Sequence, residues 1–325
     1  MPEIFNRAQI EEALQRVDVT EAIEQGFVAY SQGKAVVPPV GELVFEDPPG
    51  DVHIKYGYIK DDDYFVIKVA SGFYDNVELG LPQSDGLMLV FSQKTAQLEC
   101  ILLDECHLTN VRTAAAGAVV ARYLAPSTVE RIGVFGAGVQ GKMQVEALLP
   151  IVDCRDVIVW GTGEEELEAY REVMSKHGLS IQTTLTGDEI AATCNLIVTA
   201  TPSHTPLLRA EQIREGTHIT AMGADTREKN ELDPAILQKA DRVVADSIEQ
   251  CRVRGEIFHA LEAGVLVDSD VVELGNVIAH PQLRRASDSQ ITVADLTGVA
   301  VQDIQISKAV YEVLAANRRP GGSQA

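Results

Sequence analysis

Three glycines, Gly136, Gly138 and Gly141, stand in the order G-x-G-x-x-G directly after the apolar run RIGVF and directly before the helical stretch KMQVEALL. In that context the first glycine permits a tight turn, the second lets the backbone approach a pyrophosphate, and the third lets helix and strand pack closely. Amides at the start of the helix then face the phosphate charge. Val139 and Gln140 belong to the same turn, so residues 136 and 138–141 form a candidate coenzyme loop. The strand–turn–helix context carries this reading; the bare spacing is weak.

About 20 residues past such a loop, a second strand should end in an acid that binds ribose hydroxyls, or near an arginine that accepts a 2′-phosphate. The chain has Trp160-Gly161-Thr162-Gly163 there, followed by Glu164 and Glu165, and neither signature is in place. Thr162 is the polar side chain the turn offers to a coenzyme. The glutamates repel a 2′-phosphate, so NAD is favoured and NADP stays open.

Other residues could do chemistry beside this loop. Lys68 lies in the alternating run IKVASG; an inward charge there is costly unless paired, and periodicity alone directs it to solvent. Arg112 opens an alanine-rich helix and has the planar donors that bind a carboxylate bidentately, though a helix-start arginine is also ordinary surface. Asp225 follows the run THITAMGA, at the carboxyl end of a strand where open α/β sheets bind ligands, and could equally be a helix cap. Lys229 is either its ion partner or solvated. Thr201 and Ser203 follow the strand CNLIVTA, and a lone strand histidine such as His53 reads as structural.

The elements that must position these residues change in texture along the chain. Residues 8–33 carry apolar residues at helical intervals and read as two short helices. Prolines interrupt at VVPPV and EDPPGD. From His53 to Leu103 short alternating runs separated by polar turns predict antiparallel strands, and NVRTAAAGAVVARY predicts a closely packing helix. After the loop APSTVE, the strands RIGVFG, DVIVWG, CNLIVTAT, THITAMG and DRVVADS alternate with helical stretches, the βαβ rhythm of a parallel sheet over about 126–290. The tail LTGVAVQDIQISKAVYEVLAANR reads as one amphipathic helix that folds back on the first half. The expected class is thus α/β: a Rossmann-type doubly wound parallel sheet plus an α+β domain.

With 325 residues and 46% hydrophobic content the chain can bury two cores, and 27 basic against 48 acidic residues, net −21, disfavour nucleic acid and anionic lipid as partners. No apolar run approaches the ~20 residues that span a bilayer, and the start MPEIFNRAQIEEAL lacks the basic and apolar regions of a secretory signal. Five cysteines share no metal-like spacing with histidine and read as reduced and buried, which argues for the cytosol and against a metal centre.

Taken together, FVIKVASGFYDN (65–76), GLPQSDGLMLVF (80–91), LTNVRTAAAGAVVARYLA (108–125), the glycine loop, ATPS (200–203) and GADTREKNELD (223–233) strongly resemble the ornithine cyclodeaminase/mu-crystallin family over nearly the whole length. The resemblance implies a substrate-binding and dimerising domain (1–125) completed by the C-terminal helix (301–320), an NAD(P)-binding domain (126–300), and a homodimer. It implies that Lys68 and Arg112 face the carboxylate of a small amino or imino acid, that Thr113 contacts a coenzyme phosphate, that Thr201 and Ser203 lie on the nicotinamide side, and that Asp225 handles the proton on nitrogen. The family holds imino-acid reductases, alanine dehydrogenases, cyclodeaminases and a lens binding protein. Its cyclodeaminases carry an arginine after the proline pair, where this chain has Pro38-Pro39-Val40, and an acid near Lys55. A lysine there suits a neutral or acidic substrate side chain. An NAD(P)-dependent imino-acid reductase or amino-acid dehydrogenase is therefore expected, with ornithine cyclodeaminase and a coenzyme-holding binding protein as alternatives.

Overall fold

The computed structural model describes residues 2–317. The chain begins β1 (Glu3–Asn6), α1 (Arg7–Leu14), α2 (Val19–Ser31), β2 (Ala35–Val36), β3 (Gly41–Glu46), β4 (Pro49–Ile59) and β5 (Tyr64–Phe73). It continues β6 (Ser84–Ser92), β7 (Leu98–Leu103), α3 (His107–Leu124), β8 (Ile132–Phe135), α4 (Val139–Leu148), β9 (Asp156–Trp160), α5 (Glu164–Met174) and β10 (Ser180–Thr184). Then follow α6 (Asp188–Thr193), β11 (Leu196–Thr199), β12 (His218–Ala221), α7 (Pro234–Lys239), β13 (Arg242–Ala245), α8 (Ile248–Cys251) and α9 (Gly255–Glu262). The last elements are β14 (Val271–Glu273), α10 (Leu274–Ala279), β15 (Thr292–Asp295) and α11 (Val301–Ala316).

Two compact units result. One runs to Arg112 and resumes at Val299; the other spans Thr113–Gly298. The loop APSTVE, expected as the division, lies inside the second unit because the small residues of α3 after Arg112 are buried there, from Ala114 to Ala121.

The first unit is a mixed sheet in the order β1-β7-β6-β5-β4-β2, with β3 also on β4. The β1–β7 pair is parallel and the others are antiparallel. The proline pair that reads as a break turns the chain: β3 and β4 form a hairpin whose second strand starts at Pro49. Helix α11 packs against α2, β4 and β5, so one sheet face is covered. Of the tail helix expected over 301–320, residues 318–320 lie outside the described residues.

The second unit is an all-parallel sheet in the order β10-β9-β8-β11-β12-β15-β13-β14. Phe135, Ile158, Ile197, Ile219, Val243 and Val293 form part of its core. Numbered within the unit, the first five strands run 3-2-1-4-5, the doubly wound order in which the chain reverses direction between its first and fourth strands. The expected fold class therefore holds. Strands β10, β14 and β15 are additional to the five expected, and β15 lies between β12 and β13 in the middle of the sheet. Four residues, all buried, are too few to show a period.

Candidate functional site

In the first unit, Lys55 and Lys68 are direct partners across β4 and β5, so both point to the same sheet face. Both are buried, 5% and 3% exposed, and the solvent orientation that alternation alone gives Lys68 is wrong. The reason is α11: alternation distinguishes two faces of a strand, and this helix covers the one that carries the lysines. Arg112, on α3, is also buried. Its Nε donates to Asp303 Oδ1 at 3.1 Å and its Nη1 to Gln302 Oε1 at 3.0 Å, both in the first turn of α11. Asp303 Oδ2 lies 3.8 Å from Lys68 Nζ.

Lys68 and Arg112 thus meet the buried Asp303 carboxyl, and the charge of Lys68 also reaches the buried Asp104. Asp104 accepts from Leu108 N at 2.8 Å; burial pushes its carboxyl up to about 6, with the charge of Lys68 acting in the opposite sense. Like charges directly opposite on a sheet repel, and burying each costs several kcal/mol, a cost that an anion bound beside them would lower. Among the described residues Asp303 Oδ2 and Gln302 Nε2 are buried without a hydrogen-bond partner. Buried polar atoms are ordinarily paired, so these two mark a place that a bound polar group would complete. His53 instead lies 3.6 Å from Glu42 across β3 and β4, a structural pairing.

In the second unit, the glycine loop joins β8 to α4. Gly136 has φ +111°, and a Cβ there would lie 2.6 Å from Ala200 O; a Cβ on Gly141 would collide with Gly136 O. Both are thus fixed by protein neighbours. Gly138, the N-cap of α4, has nothing within 4 Å of where a Cβ would be, so its lack of a side chain leaves open space beside the helix start. A cradle of this form fits a coenzyme pyrophosphate. Val139 is 59% exposed at the same turn.

Buried Gln144 donates from Nε2 to Thr113 O at 3.0 Å and to Gln140 Oε1 at 3.3 Å, which ties the candidate Thr113 to the first turn of α4. Gly136 N donates to Trp160 O at 3.0 Å, so the end of β9, where Thr162 is exposed, adjoins the loop. Glu164, Glu165 and Glu166 open α5 immediately after it, with Glu166 Oε2 3.5 Å from where a Gly161 Cβ would stand.

Thr201 and Ser203 follow β11, across the reversal point from the glycine loop. Their hydroxyls bond within the protein: Thr201 Oγ1 donates to Glu231 Oε1, past β12, at 2.7 Å, and Ser203 Oγ donates to Thr205 O of its own loop at 2.7 Å. Asp225 lies past the end of β12, half-buried, and Lys229 Nζ donates to its Oδ1 at 2.7 Å, which decides for the ion pair over a solvated lysine. Arg254 Nη1 donates to the Asp225 carbonyl at 3.1 Å.

Lys55, Lys68 and Arg112 are thus gathered in one unit, and Thr113, the glycine loop, Thr162, Thr201, Ser203 and Asp225 belong to the other. Sequence reading passed over Asp104, Gln144, Glu231, Gln302 and Asp303. Each is a polar residue within an otherwise apolar or motif-bearing stretch, and that mismatch was the available signal. All five cysteines are free and buried, and among the described residues no group of three His, Cys, Asp or Glu side chains could hold a metal ion. No described helix is long and apolar enough to cross a membrane.

The chain is similar to known proteins over nearly its whole length. The chain is 39% identical over 310 residues to an uncharacterized cyclodeaminase of Sinorhizobium fredii (strain NBRC 101917 / NGR234), covering 94% of this chain and 93% of that protein. The solved structure of an archaeal alanine dehydrogenase dimer with bound NAD superposes with a TM-score of 0.88 at 34% identity, over 98% of this chain and 97% of that one. The iminosuccinate reductase of Paracoccus denitrificans in complex with NAD+ superposes with a TM-score of 0.87 at 30% identity, over 97% of each chain. The description "Ornithine cyclodeaminase/mu-crystallin family" matches residues 2–318, and the chain belongs to that family.

Proposed function

We propose that this protein is an NAD-dependent imino-acid reductase or amino-acid dehydrogenase that acts on a small substrate with an α-carboxylate. The observation that carries the reading is the burial of Lys55, Lys68 and Arg112 within one unit, with Lys68 and Arg112 both at the buried Asp303 carboxyl. Arg112, with Nε and Nη1 fixed by the first turn of α11, binds and orients the substrate carboxylate, and Lys68 adds its charge beside it. The glycine loop, Val139, Gln140, Thr113 and Thr162 would hold the coenzyme, with Thr201 and Ser203 on its nicotinamide side. Bound there, NAD(H) supplies or accepts hydride at the substrate α-carbon. Asp225, its carboxylate held by Lys229, gives or takes the proton on the substrate nitrogen.

The three glutamates that open α5 repel a 2′-phosphate, which favours NAD over NADP. The first unit is then the substrate-binding and dimerising domain, the second the coenzyme domain, and the protein a homodimer. Five free, buried cysteines fit the reducing cytosol. The alternative, cyclodeamination of a diamino acid, is favoured by the name of the Sinorhizobium relative. Lys55 opposes it, because a buried ammonium on the substrate face repels a second substrate ammonium and attracts a neutral or acidic side chain.

The test is turnover with NADH or NADPH on a panel of cyclic imines, iminosuccinate, and keto acids with ammonia. NADH consumption with at least one of these, faster than with NADPH, is expected. No consumption alongside tight NADH binding would refute the reading in favour of a binding protein.

A further inference from the structure

Glu231 lies within the stretch GADTREKNELD but has no role in the chemistry described above. Its carboxylate is fully buried and accepts four hydrogen bonds, from the last residue of β11, the loop after it and the loop after β12. Oε1 accepts from Thr201 N and Thr201 Oγ1, both at 2.7 Å; Oε2 accepts from Thr199 Oγ1 at 2.7 Å and from Gly223 N at 2.9 Å. The first pair belongs to the loop after β11 and Gly223 to the loop after β12. Gly223 approaches so closely that a Cβ would collide with Thr201 O and lie 2.7 Å from Glu231 Cδ.

The segment that carries Glu231 is itself anchored. Glu231 N donates to Glu256 Oε1 at 2.8 Å, and Leu232 N and Asn230 Nδ2 donate to Glu256 Oε2, each at 3.0 Å. Leu207 N donates to Glu231 O at 2.7 Å. The loop that starts at Gly223 and ends at Glu231 therefore closes on itself through the Gly223 N–H to Glu231 Oε2 bond, and Asp225 and Lys229 lie inside it.

We propose that Glu231 is a positioning residue that closes the neck of the Asp225 loop and fixes this loop to the Thr201 loop. The proposal rests on the reading of Asp225 as the proton-handling group. Glutamine cannot replace Glu231, because each carboxylate oxygen accepts from a backbone N–H and an amide NH2 in either place would face a donor. The four hydrogen bonds that Glu231 accepts all come from residues outside the glycine loop.

The test uses the full-length protein. NADH affinity is read from energy transfer between Trp160, the one tryptophan of the chain, and bound NADH; loop order is read from amide hydrogen exchange over residues 199–203 and 222–226. In Glu231→Gln, kcat should fall about 10²-fold, as expected for a misplaced catalytic group, with the NADH dissociation constant changed less than about threefold. The Thr201 and Gly223 amides should exchange at least about tenfold faster, and Asp225→Asn should lower kcat without that change. Should Glu231→Gln not fold, Thr199→Val removes one donor and neither backbone bond; it should lower kcat about threefold at constant NADH affinity. Unchanged exchange at Thr201 and Gly223 in Glu231→Gln, or unchanged kcat in the variant that folds, overturns the proposal. Failure of the functional reading shows separately, as absence of turnover in the wild-type protein.

Discussion

Arg112 and Asp225 should fail in different ways when replaced. Arg112→Ala removes the carboxylate ligand, a loss of about 3 kcal/mol that should appear as a roughly 10²-fold rise in KM, and separately lowers stability because Asp303 stays buried without its arginine. Asp225→Asn keeps the size and removes the titratable group, so kcat should fall about 10²–10⁴-fold with little change in KM. Steady-state kinetics of the two variants checks both; a shared pattern would contradict the assigned roles. Part of this site was readable beforehand. The glycine loop declares itself because strand, glycines and helix are contiguous, and Arg112 stands out directly before the alanine run, although its helix begins earlier, at His107. The burial of Lys68 was not readable from strand alternation, because it depends on α11, although the family resemblance turns it inward; its counter-charge was not readable at all, since Asp303 is 191 positions from Arg112 in sequence and 3.1 Å from it in space.

At the scale of elements, β15 shows what a short buried strand hides and what it brings. It lies beside β12, where fully buried His218 bonds Thr292 Oγ1 through Nδ1 at 2.8 Å and Thr220 Oγ1 through Nε2 at 3.0 Å. Burial, assisted by the charge of Arg285, lowers this imidazole from the ordinary 6.5 to about 3. The folded state therefore binds fewer protons than the unfolded state. The stabilisation is fully present above pH 6.5 and is lost as the pH falls towards 3, at up to about 1.4 kcal/mol per pH unit. Urea unfolding of the wild-type protein and of His218→Gln between about pH 7 and pH 5 should show a steeper loss in the wild type. Equal slopes would place the acid sensitivity elsewhere. The alternating strands and the βαβ rhythm made the class of both units legible, but a four-residue strand offers too few positions for either signal, so its central place had to come from the fold.

For the whole molecule, charge and exposed apolar surface act in opposite directions. A net charge of −21 keeps chains apart, yet the β3–β4 hairpin exposes Leu43 at 53%, Val44 at 78% and Phe45 at 42%. An apolar group of this kind is characteristic of an interface, and the proposed homodimer would bury it. Val44→Glu should shift the sedimentation coefficient from dimer towards monomer, with the secondary structure retained; an unchanged dimer would move the interface away from this hairpin. The central claim is net transfer of hydride between coenzyme and substrate α-carbon. Its most direct test is mass spectrometry of the product formed with NADH deuterated at the transferable position. The product should be an amino acid that carries one deuteron at the α-carbon, with stoichiometric formation of NAD. A product released with ammonia from a diamino acid, with no net change in coenzyme, would contradict it.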